Sequence, residues 1–206
     1  KKYILKGDYF NSDSLIQNIL FSDTETNFLS KDFEIDLNIK KVRLDNEFQL
    51  ENLEGNLYFK KNELVDGNLV GYFPNDKKMI FTVKTNNQSK ITTFFIDHAK
   101  PIVKRYKFIK GFNEGLLDFN SLKKGNISKS TLKIYDFKLK ELPTLTKILT
   151  LASLQGIADI LSGEGIRFDE FEMNFENKGQ LITIDEIYAI GPAISVLMSG
   201  YVEKNK

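Results

Sequence analysis

The chain has 206 residues, no cysteine and a single histidine, His98. Disulfides, thiolate metal sites, cysteine nucleophiles and histidine-rich metal centres are therefore excluded. Its 29 basic and 28 acidic side chains leave a net charge of +1, without the basic excess that nucleic-acid binders carry, and its 41% hydrophobic content is that of a folded domain able to bury a core.

Taken in chain order, the first predicted element is a helix. Asn11-Ser12-Asp13-Ser14 offers N-cap candidates ahead of Leu15, Ile16, Ile19 and Leu20. From Phe33 to Ile39 apolar and polar residues alternate strictly, as in a strand with one wet face. Val42 and Leu44 continue the alternation. Leu53, Gly55, Leu57 and Phe59 share one parity, as do Val65, Gly67, Leu69, Gly71 and Phe73. Met79, Phe81 and Val83 follow, then Ile91, Thr93 and Phe95. Turn signals separate these runs at Asp45-Asn46, Lys61-Asn62, Asp66-Gly67, Pro74-Asn75-Asp76 and Asn86-Asn87. Short strands at this spacing predict an antiparallel meander.

A second helix is predicted over 98–108, with Pro101 in its first turn. Strands are predicted over 112–119 and 127–139. A third helix runs from Pro143 to Leu161 and is closed by Ser162-Gly163. It is apolar nearly all round, which predicts burial, but Lys147 and Asp159 interrupt it and it is too short an apolar run to span a membrane. Two more strand regions follow, 168–176 and 180–202, the latter broken at Gly191-Pro192. The fold class expected is mainly β with short α-helices: an extended, twisted, mostly antiparallel sheet. Strands and helices do not alternate one for one, so a doubly wound α/β fold is disfavoured. Periodicity alone leaves two arrangements open. The apolar faces line an open groove, or they close on one another.

Little in the sequence points to a reaction. Glu164, Asp169, Glu170 and Glu172 cluster around a helix-to-strand turn, but Glu170 and Glu172 alternate with Phe171 and Met173 and so belong to a solvated strand face. Asp97-His98 lacks a serine elbow and reads as the start of a helix. Ser162-Gly-Glu-Gly165 lacks the lysine of a phosphate loop. Lys77-Lys78, Lys104-Arg105-Tyr106-Lys107 and Lys123-Lys124 read first as ordinary solvated turns, and second as contacts for anionic headgroups. No catalytic residue, metal ligand or cofactor is expected.

The stretch Leu142–Tyr201 is similar to a known family. It contains an apolar helix with Leu151-Ala152-Ser153-Leu154, then Gly163-Glu164-Gly165, Phe168-Asp169, Gly191-Pro192-Ala193 and Ser199-Gly200. Upstream, Lys110-Gly-Phe-Asn-Glu-Gly115 and Leu132-Lys-Ile-Tyr-Asp-Phe137 fit the same pattern. In order and spacing these pieces resemble the AsmA-like C-terminal region of the large bacterial AsmA/YhdP-type envelope proteins. The match is specific over about 100–202, and before that the chain fits only as alternating strands. The resemblance implies one continuous repeat-like β-groove of the bridge-like lipid-transfer type, divisible into a meander over 1–97 and the motif region over 98–206. It implies a periplasmic part of an inner-membrane-anchored protein of a Gram-negative bacterium. Phospholipid acyl chains would be its cargo, moved between inner and outer membrane, with membrane contact through parts beyond this segment. It brings no enzymatic residues. The chain opens on Lys1 rather than Met, and it is expected to be a segment of a longer protein.

The expected groove lining is Ile182, Ile184, Val196, Met198 and Val202 from the last strands, with Leu149 and Ile157 of the third helix nearby. The competing expectation is a non-transporting structural or assembly module of the envelope with a closed β core.

Overall fold

The computed structural model describes residues 1–13, 32–61, 63–104, 111–140, 162–163 and 165–203. The predicted third helix, with Leu149 and Ile157, lies outside them, as does nearly all of the first. The chain forms two compact units, Lys1–Ile96 and Asp97–Lys206. Both are built almost wholly of strands, and the strands form an open mixed sheet that does not close into a barrel.

The first unit holds β1 (Lys2–Asn11), β2 (Phe33–Arg43), β3 (Gln49–Lys60), β4 (Glu63–Tyr72), β5 (Lys78–Asn86) and β6 (Ser89–Ile96), hydrogen-bonded in that order. All pairings are antiparallel except β1 with β2, which is parallel. Directly opposed residues point to the same face. The register therefore builds apolar rows across strands. Ile35, Leu57, Gly67 and Val83 form one, and Leu37, Gly55, Leu69, Phe81 and Phe94 another. Phe33 stacks on Phe59 at 4.7 Å, and Tyr3 meets Phe33 edge-on. The opposite face is polar on β1 and β2, with Lys2 bridging Glu34 and Asp36 at 3.4 and 2.8 Å, and turns apolar at Val70, Ile80 and Phe95.

The second unit begins with a single helical turn, α1 (Lys100–Val103), whose Pro101 and Val103 are buried. The predicted helix over 98–108 is thus described only in this turn. Then come β7 (Phe112–Lys124), β8 (Ile127–Leu139), β9 (Ile166–Lys178), β10 (Leu181–Ile190) and β11 (Ser195–Glu203), again in chain order and all antiparallel. Phe112, Phe137 and Phe168 stack across three strands at 5.4 and 5.2 Å.

Long strands accumulate twist, and both units absorb it in the same way. Asn52 in β3 has φ 48°, and the buried positions step from Leu50 to Leu53, three residues instead of two. Its partner strand steps at the same place, from Ile39 to Val42, so the register is unbroken. Asp136 in β8, at φ 50°, separates buried Ile134 from buried Phe137 in the same manner. Left-handed backbone is cheapest for Asn and Asp after glycine. Each such residue lets the apolar face continue past a local change of pleat.

The structure differs from expectation at several points. Lys2–Asn11 form β1, where the sequence pattern predicts no strand and Asn11 is expected at the start of the first helix. Ile4-Leu5 and Tyr9-Phe10 are apolar doublets that break a period of two, and strand pairing overrides the pattern. Asp66-Gly67 is not a turn but the middle of β4. Gly67 lies there because the Leu57 side chain fills the space a Cβ would take, 2.8 Å away. In β6 the residues opposite Val83, Phe81 and Met79 are Thr92, Phe94 and Ile96, so Ile91, Thr93 and Phe95 take the other face and Ile91 is 51% exposed.

Gly55 sets the tightest steric condition in the first unit. Its φ is +143°, and a Cβ there would stand 1.8 Å from the Asn68 carbonyl oxygen. Gly55→Ala is expected to destabilise the first unit by ~2–4 kcal/mol, read as a lowered urea midpoint, whereas Gly7→Ala, with open space around it, is expected to change stability by ~1 kcal/mol or less.

Candidate functional site

The five strands of the second unit sort their side chains into two unlike faces. On one face four rows cross the sheet. Leu117, Ile134, Phe171, Ala189 and Val196 make the first, and Phe119, Leu132, Met173, Ile187 and Met198 the second. Ser121, Ser130, Phe175, Ile184 and Gly200 form the third. The fourth is Lys123, Ser128, Asn177, Ile182 and Val202. Ile182, Ile184, Val196, Met198 and Val202, the residues singled out from sequence, therefore share one face. Leu149 and Ile157 lie outside the described residues.

Burial falls across this face. Leu117 and Ile134 are buried, Ile182, Ile184 and Val196 are half-buried, and Met198 and Val202 on β11 are 54% and 49% exposed. Sequence reasoning missed Phe175 and Ile187. Phe175 continues the alternation of Phe171 and Met173 and was legible. Ile187 was not, because a register shift between Ile184 and Ile187 carries it back to the apolar face off the period of two.

The opposite face is a polar network. Lys133 Nζ sits 2.6 Å from Glu172 Oε2, and Asn174 Nδ2 donates to Glu172 Oε1 at 2.7 Å. The Tyr188 hydroxyl lies 2.8 Å from Glu172 and 3.1 Å from Glu170, and Thr131 donates to Asn174 at 2.7 Å. The hydrogen bonds from Lys133 and then Asn174 hold the Glu172 carboxyl down at about 2, and the same contact raises Lys133. Tyr188 is raised, chiefly by its hydrogen bond to Glu172. Glu172 was expected on a solvated face; instead it is the hub of this network, with its side chain 14% exposed. Its ties satisfy both carboxylate oxygens, which suits a structural anchor. Asp169 is exposed, and Glu164 lies outside the described residues.

Other candidates stay apart. His98 is half-buried just before α1. Among the described residues no three His, Asp or Glu side chains gather as a metal site, and no helix is long and apolar enough to cross a membrane. Among the described residues of the second unit, the apolar face offers van der Waals contact without directional bonds. The chain matches no protein-family model, no curated protein and no solved structure.

A carboxyl depressed in the folded state stabilises wherever it is ionised, and that stabilisation is lost as pH falls from its ordinary value of 4.5 toward about 2. Thermal unfolding of the native chain is expected to lose ~1–3 kcal/mol of stability across that window. Glu172→Gln is expected to show most of the loss already at pH 7 and a flatter acid limb. An unchanged acid limb would mean the network does not stabilise the fold.

Proposed function

We propose that this chain is a segment of a cell-envelope lipid carrier of the AsmA/YhdP type, in which phospholipid acyl chains lie against the apolar face of β9–β11. The observation that carries this reading is the separation of faces. Ile182, Ile184, Ile187, Val196, Met198 and Val202 line one side of β10 and β11, while Glu170, Glu172 and Tyr188 lie on the other. The resemblance of residues 142–201 supports it independently. On this reading the segment is periplasmic, belongs to an inner-membrane-anchored protein of a Gram-negative bacterium and meets the membrane through other parts of that protein.

Physical magnitudes agree with such a role. Eight residues of strand span ~27 Å, comparable to an extended lipid. Each methylene removed from water is worth ~0.8 kcal/mol, so a dozen partial contacts hold a chain without a specific anchor. A carrier needs sites that are weak and repeated. A face of aliphatic and thioether side chains provides them, and methionine in particular adapts its shape to a mobile ligand.

Two neighbouring residues on the exposed strand β11 separate the proposal from its competitor. Met198 is on the apolar face, and Leu197, 72% exposed, is on the other. Extraction of a fluorescent phospholipid from vesicles is expected to fall about tenfold in Met198→Lys, a loss of ~1.4 kcal/mol, and to stay near the native level in Leu197→Lys. Equal effects of the two changes, or a native chain that takes up no lipid, would favour the non-transporting envelope module with a closed β core.

A further inference from the structure

The apolar face of the second unit is not apolar to its end. Its fourth row begins with Lys123, Ser128 and Asn177 before it reaches Ile182 and Val202. This row lies beside the two tight hairpins, Gly125-Asn126 between β7 and β8 and Gly179-Gln180 between β9 and β10. Both hairpins turn at the same end of the strands. Lys124 and Lys178 belong to the same end, on the opposite face, each across from Ile127. The connection Gly191–Ile194 at the other end carries no charge.

The polar groups of the face differ in what they already bind. One row inward, Ser130 donates to Ser121 at 2.8 Å and is 7% exposed, so that pair is spent. Thr131 and Asn174 are joined on the other face, and Lys129 is paired with Glu176 there at 3.5 Å. Among the described residues, by contrast, Lys123, Lys124 and Lys178 have no carboxylate within ion-pair distance. Nor do the side chains of Ser128 and Asn177 make a hydrogen bond there. One cation, Lys123, and two hydrogen-bonding side chains thus remain unspent at this end of the apolar face, with Lys124 and Lys178 behind them in a row that ends on Glu203.

We propose that this end is a headgroup subsite for a glycerophospholipid. Lys123, with Ser128 and Asn177, meets the lipid phosphate, and Lys124 and Lys178 add positive potential at the rim. The acyl chains run from there along the strands toward Met173 and Met198. Four residues of strand separate the fourth row from the second, ~13 Å, so phosphate and chain contacts are well apart. An ammonium group and neutral donors suit a phosphate monoanion, and an exposed cation keeps the contact weak enough for release. The inference rests on the lipid-binding reading of the same face and adds the orientation of the ligand and the side chains that meet its phosphate.

The test uses two fluorescent probes with identical acyl chains, phosphatidylglycerol and diacylglycerol, offered in vesicles to the full 206-residue chain. The variants are the double change Lys123→Gln with Asn177→Ala, and Met198→Lys, each checked for native thermal unfolding. The native chain is expected to extract both probes and to prefer phosphatidylglycerol. The double variant is expected to lose about tenfold in phosphatidylglycerol uptake, keep its diacylglycerol uptake, and lose the sensitivity of the preference to salt. Met198→Lys is expected to lower both. A double variant whose preference is unchanged, or one that loses both probes equally, overturns the headgroup subsite while leaving the acyl surface standing. A native chain that extracts neither probe overturns both.

Discussion

Everything in this structure depends on cross-strand register. Side chains alternate along a strand, so a slip of one residue would turn every apolar side chain to the wrong face. The pairings prevent this by matching apolar with apolar over several strands at a time, as in the row from Leu117 to Val196. The places where a long strand would drift out of phase are occupied by residues able to adopt left-handed backbone. Asp136 shifts the buried position by three while the ladders on both sides keep count, and Asn52 does so with the ladder to β2 unbroken and the ladder to β4 shifted between Glu51 and Glu54. The apolar face is thus one continuous feature of each unit although strands such as β3, β8 and β10 are not strictly periodic throughout.

The two faces of the second unit have different mechanical roles. Directional bonds hold the polar face: Glu172 accepts from Lys133 and Asn174 and is met by Tyr188, which ties β8, β9 and β10 together. Few such bonds cross the apolar face. A sheet stiffened from behind can present a front that binds through area alone. Substitutions on the front then need not cost the fold its register, because the ladder and the network behind it carry that.

Much of the architecture was legible in the sequence because a wet-and-dry sheet writes its pattern directly into the chain. Strict alternation at Phe33–Ile39 and turn residues at Pro74-Asn75-Asp76 led to a mostly antiparallel β structure, and the choice of Ile182, Ile184, Val196, Met198 and Val202 followed from parity. The failures have definite physical causes. β1 pairs in parallel with a strand more than twenty positions later, and a parallel partner imposes no local alternation. Gly67 signals a turn by composition but serves as space for Leu57. β6 carries apolar residues at both parities, and only its partner β5 decides which set faces the core side. Ile187 and the unspent polar row at Lys123 required the register, which no single-strand pattern contains.

The strand order has a consequence for how such a chain can change. Within each unit every strand bonds only to the strands before and after it in sequence. Apart from the crossover into β2, each partner is reached by a short loop or a single intervening segment. Stability in such an array is approximately a sum of nearest-neighbour terms, as in other one-dimensional assemblies. A hairpin duplicated or deleted would lengthen or shorten the sheet without requiring any distant residue to be redesigned. Length is therefore a nearly free parameter of this architecture, open to adjustment by evolution or by an engineer in steps of two strands.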